Sequence, residues 1–171
     1  MSEPVDEKQL NAICLKAQLM AAGLVVAPII YVVIGFILRS QNVLEGVTPL
    51  DESIRQILLV AFVGVGVVLG VVALLLRSNR MRPEAMRGKL KTLADLDRYV
   101  ITWTGITLSM GEAIPVFGLV YFILTGDFQK LILLAGAGVA FGVALFPLRS
   151  RIAALAEGLD AKGDDDWGAS P

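Results

Sequence analysis

The chain contains no histidine and a single cysteine, Cys14, among 171 residues. That excludes an internal disulfide, a Cys/His zinc set and any nucleophile that depends on a Cys–His or Ser–His pair. Aromatic residues make up 7% and charged residues 18%, with a net charge of −1, so no basic excess speaks for a nucleic-acid partner. What abounds is apolar. Hydrophobic residues account for 56% of the chain and its mean hydropathy is +0.71. They come in long blocks, not in the apolar–polar alternation of a soluble domain. The expected class is an all-α integral membrane protein.

Uncharged runs cover 17–38, 56–76, 99–126 (interrupted once, by Glu112) and 131–148. A helix needs about 20 residues to cross the hydrocarbon core. In lipid, backbone polar groups must be satisfied internally. The runs are therefore read as four transmembrane helices in two tandem hairpins, 17–76 and 99–148. The first run is expected to stay as a span, because acidic residues (Glu3, Asp6, Glu7) precede it and no small-residue cleavage site closes it. Residues 1–16 then form an N-terminal segment, 77–98 a basic loop and 149–171 a tail. The stretch 157–171 has too little apolar content to fold alone, which makes the tail partly disordered.

The loop carries Arg77, Arg80, Arg82, Arg87, Lys89, Lys91 and Arg98; Arg149 and Arg151 follow the fourth run, and Lys8 and Lys16 precede the first. The other two connections hold Glu45, Asp51, Glu52 and Asp127 instead, against few basic residues. The positive-inside rule predicts both termini and the basic loop in the cytoplasm. The expected setting is multi-pass, in the cell's inner (plasma) membrane.

Glu112 is the one charge inside the runs. A charge at bilayer depth costs roughly 2.5–3.5 kcal/mol on insertion scales, so such residues are rare and mark function by default. No basic residue in any run can pair with it, and desolvation favours the neutral, protonated form. A lone acid that is neutral in lipid and able to lose its proton in water is what a proton carrier needs. Pro115, three residues on, removes a backbone donor and leaves the carbonyl of Gly111 without its intrahelical bond. Sodium demands several oxygen ligands, as hard cations do. Ser109 is the nearby side-chain oxygen, and Phe117 stands where another hydroxyl would have helped. The candidate proton-binding residue is Glu112, supported by Ser109, Gly111, Pro115 and Phe117. Neither a metal nor a cofactor is expected, the proton being the transported ion, and the chain is expected to have no catalytic site of its own.

The chain also repeats itself. Gly64-x-Gly66-x-x-x-Gly70 recurs as Gly136-x-Gly138-x-x-x-Gly142, and Leu76-Arg77-Ser78 recurs as Leu148-Arg149-Ser150. Pro28-Ile29-Ile30 aligns with Pro115-Val116-Phe117, which puts Val25 at the position of Glu112. Each half thus pairs a proline-bearing helix with a glycine-rich one. Glycines at these spacings let helices approach closely where lipid competes for apolar contact, so they are read as helix-packing positions.

Residues 60–124 resemble the c subunit (proteolipid) of rotary ATP synthases. The pieces are Gly64-Val65-Gly66 with Gly70, then Arg80-Met81-Arg82-Pro83-Glu84-Ala85, then Gly111-Glu112-Ala113-Ile114-Pro115-Val116-Phe117-Gly118. Four spans with one acid per chain are also similar to the duplicated proteolipids of vacuolar-type ATPases, with the hairpin order permuted. The resemblance implies a ring-forming homo-oligomer with glycine-rich helices inside and acid-bearing helices facing membrane lipid. Glu112 would take a proton from a stator subunit, turn through lipid while neutral and release it on the other side. Arg82, Pro83 and Glu84 would touch a central stalk.

A second reading comes from another class: a non-transporting four-helix scaffold in which Glu112 is a buried, hydrogen-bonded acid that fixes helix register. An independent small transporter is disfavoured by the lack of a second ionisable group in the runs. Tyr99, Trp103, Tyr121 and Phe122 fit aromatic belts at the membrane interfaces. Cys14 reads as a plain buried thiol, and Arg80, Arg82, Arg87 and Lys89 as topology determinants ahead of a dedicated lipid site.

Overall fold

The structure, a computed structural model, describes residues 7–43, 50–80 and 92–160, with side chains in the last stretch up to 156. It is all-helical over these residues. α1 runs Glu7–Ser40, α2 Glu52–Arg80, α3 Leu93–Thr125, α4 Phe128–Ala144 and α5 Arg149–Asp160. Four segments are long and apolar enough to cross a membrane, the fourth being Phe128–Ala156, which joins α4 to most of α5. The loop residues Arg82, Pro83 and Glu84 lie outside the described residues, as does the tail beyond 160.

Local chemistry sets the boundaries of α3 and α4. Thr92 starts α3 with a reciprocal box: its hydroxyl accepts from the Asp95 amide, and the Asp95 carboxylate accepts from the Thr92 amide, each at 3.2 Å. Gly126 ends the helix at φ 72°, the left-handed conformation glycine adopts without strain, and its amide donates to the Phe122 carbonyl at 2.7 Å. Asp127 then caps α4 at once by accepting from the Lys130 amide. α3 and α4 are therefore a tight antiparallel pair.

The last span departs from the sequence expectation of 131–148. Its helix begins at Phe128 and stops at Ala144, 17 residues or roughly 25 Å long, somewhat short of a ~30 Å core. The cause is Pro147, which lacks an amide donor and cannot continue the ladder. Residues 149–160, read from sequence as the start of a partly disordered tail, form α5. α1 also begins within the expected N-terminal segment, at Glu7. Ile13, Cys14 and Ala17 of α1 pack there with Leu96 and Val100 of α3 and with Ile152, Leu155 and Ala156 of α5. That cluster explains both surprises: each extra helical stretch buries one apolar face against the other.

α3 is the hub. α1, α2 and α4 all pack on it, and α1 also packs on α4. Of the two expected hairpins, only the second, α3 with α4, is packed among the described residues. α1 and α2 pack on α3 instead of closing on one another, so the expected first hairpin is open. Both expose wide apolar faces, with Ile57 68% and Val60 71% accessible on α2. Such faces suit a lipid surround.

The two glycine motifs make parallel contacts. A Cβ at Gly66 would meet the Ile114 side chain at 3.2 Å, and one at Gly138 would meet the Pro115 ring at 2.7 Å, so both middle glycines seat neighbouring residues of α3. Gly70 receives the Phe141 ring and Gly142 receives Val25. Gly64 and Gly136, the first of each motif, have open space around them. Gly111 on α3 faces the other edge of the same Phe141 ring, which therefore wedges between α2 and α3.

Candidate functional site: an acid and a tyrosine in the membrane

Glu112 sits on α3, half-buried where that helix meets α1. The Tyr31 hydroxyl of α1 donates to its Oε1 at 3.0 Å. Among the described residues Tyr31 is its only hydrogen-bond partner, and no cation pairs with it. A phenol can donate to a carboxylate or to the carbonyl oxygen of a carboxylic acid, so this contact is compatible with both protonation states. The second carboxyl oxygen remains available for a proton.

The supporting residues expected from sequence play other parts. Ser109 is exposed on α3. Phe117 stacks on Phe62 of α2, with ring centroids 5.2 Å apart and planes within 4° of parallel. Pro115 is fully buried against Gly138, and Gly111 makes room for Phe141. Gly111 and Pro115 thus shape the α3–α4 seam beside the acid. Neither Ser109 nor Phe117 is hydrogen-bonded to it.

Tyr31 was missed by sequence reasoning because it lies on a different span, in the half of the repeat without an acid. A signal was present: aromatic residues with a polar tip usually gather at the interfaces, whereas Tyr31 stands inside the first apolar run, well clear of Arg39. A hydroxyl at that depth needs a partner.

A second polar feature lies at the C-terminal end of α2. Arg77 is buried, with Nη2 donating to the Phe146 carbonyl at 2.6 Å and Nη1 to the Ala144 carbonyl at 3.5 Å. These acceptors are the ones the break at Pro147 leaves unsatisfied. The arginine counted as a topology signal also caps a helix on another span. Nearby, Lys16 of α1 and Asp97 of α3 pair at 2.8 Å, and the Tyr99 hydroxyl donates to the Arg80 carbonyl at 2.8 Å.

Among the described residues no cluster of three or more His, Cys, Asp or Glu side chains could hold a metal ion. No protein-family model, no curated protein and no solved structure matches the chain. The acid, its donor and their setting therefore carry the functional reading.

Proposed function

We propose that this protein is a proton-binding subunit of the membrane, carrying protons on Glu112 in the manner of the c-type proteolipids it resembles. The observation that carries the reading is the half-buried carboxyl with one neutral donor and, among the described residues, no counter-ion. A carboxylate that stayed ionised at bilayer depth would have a single neutral hydrogen bond to offset its cost, whereas a protonated one loses little by facing hydrocarbon. The sparse oxygen shell favours a proton over sodium. In the rotary version of this function, copies assemble in a ring within the inner membrane, with basic segments in the cytoplasm and with stator and central-stalk subunits as partners.

A hydrophobic carbodiimide tests the proton site directly. Glu112 should be modified at neutral pH and protected as the pH rises, with Glu112→Gln abolishing the mass shift on its peptide. Absence of modification in the wild-type protein sinks the proposal. Imaging of detergent-extracted protein tests the ring: closed circular assemblies support the rotary version, and an isolated bundle removes it.

The scaffold reading has one observation in its favour, the hydrogen bond that ties α1 to α3. Glutamine separates the two readings, because its carbonyl still accepts from Tyr31 while its amide cannot release a proton. A Glu112→Gln protein that assembles normally but no longer takes up protons supports the carrier. Unchanged proton uptake leaves the scaffold.

A further inference from the structure

Where α2 ends and the chain breaks between α4 and α5, positive charge collects without a described counter-charge. Arg77 is only 6% exposed; its Nη atoms reach the carbonyls ahead of α5, and its buried Nε has no partner. Arg151 stands five positions after the Phe146 carbonyl that Arg77 holds, which brings a further cation to the same junction. Arg149 and Arg151 lie exposed in the first turn of α5, a turn with no acidic residue. That end of a helix carries the positive pole of its dipole, so cations there are unfavourably placed. Among the described residues, no carboxylate pairs with Arg77, Arg149 or Arg151. A buried cation without a counter-charge is costly, and each neighbouring feature adds to the cost.

An anion at this place relieves all three at once. Three positions beyond Arg77, the Arg80 guanidinium lies 5.2 Å from the Trp103 ring centroid, and tryptophan and arginine gather where acyl chains give way to headgroups. Exposed Leu74, Leu75 and Leu148 flank the arginines in sequence and offer apolar surface next to them. We propose that Arg77, Arg149 and Arg151 hold the phosphate of an anionic phospholipid at the junction of α2, α4 and α5. The adjoining leucines favour a lipid over free phosphate. The proposal stands apart from the proton site and does not depend on it.

The test reconstitutes the full chain in nanodiscs of phosphatidylcholine with phosphatidylglycerol, then reads retained lipid by native mass spectrometry. Phosphatidylglycerol should be retained over phosphatidylcholine. Arg149→Gln and Arg151→Gln, both exposed and outside the core, should each lower its retention about fivefold, the size of one basic contact at a membrane surface. Arg98→Gln, an exposed arginine on α3, should leave retention unchanged. Equal retention of the two lipids, or an equal loss with Arg98→Gln, overturns the site in favour of diffuse attraction. Thermal stabilisation in neutral lipid by inorganic phosphate, matching that by phosphatidylglycerol, overturns the lipid assignment.

Discussion

Val25 and Glu112 occupy matching places in the two halves of the repeat, three residues before a buried proline, yet they do opposite things. Val25 plugs the gap left by Gly142, an apolar knob in a glycine hole. Glu112 fills no glycine hole and instead meets the one hydroxyl that α1 offers at that depth. The first half shows that the helix, its proline and its register form without an acid. The proline-bearing helix thus does not need an acid at this position to form, and Glu112 adds a polar tie to α1 where Val25 adds an apolar one. The contrast frames the proposed proton site: one half fills this position with packing, the other with a protonatable group.

The contrast fails most violently if the first half is made to copy the second. Val25→Glu would put a longer, ionisable side chain against Gly142 with no donor aimed at it. A loss of about 3 kcal/mol or more is expected, read by unfolding in detergent or bilayer. Tolerance of that substitution would mean that either half can house an acid. Gly138→Ala should come next, at about 1–3 kcal/mol, because its Cβ would sit 2.7–3.2 Å from three atoms of the rigid Pro115 ring. A near-neutral result would show that the α3–α4 seam can yield.

Smaller effects probe the polar half. Tyr31→Phe should cost about 0.5–1.5 kcal/mol of stability, the net worth of one hydrogen bond, and α1 should keep its place through its apolar contacts. A collapse of the fold would turn the hydroxyl into the main tie between α1 and α3. Smallest of all, Gly64→Ala and Gly136→Ala should be neutral or stabilising by up to about 1 kcal/mol, since alanine suits a helix better and nothing lies near either position. Thermal unfolding of the two variants beside Gly138→Ala checks whether the motif's first glycine differs from its second.

Much of the fold was legible because hydrophobic runs report spans almost without ambiguity. The lone acid stood out for the same reason. The glycine motifs pointed to close packing, but spacing alone does not say which glycine of three faces a neighbour. Gly66, Gly70, Gly138 and Gly142 meet other helices, while Gly64 and Gly136 do not. Three features escaped because they join distant parts of the chain. The Tyr31–Glu112 contact spans 81 positions and the Arg77–Phe146 contact 69, and no local pattern encodes either. α5 was unreadable for a related cause: its apolar face, Ile152, Leu155 and Ala156, is short and gains meaning only against α1 and α3. The shortened fourth helix, by contrast, was written in Pro147.

Because α1 settles on α3, α4 and α5 and not on its sequence neighbour, its place cannot be set while the chain is being made in order. A nascent α1 leaves the ribosome long before any of its partners exists, and Tyr31 crosses into the bilayer with its hydroxyl unsatisfied until the segment bearing Glu112 arrives. α3 and α4, tied by the turn at Gly126 and Asp127, are built to insert together. In contact terms the second half organises the first, and truncation after α2 should leave two hydrophobic segments in search of a companion.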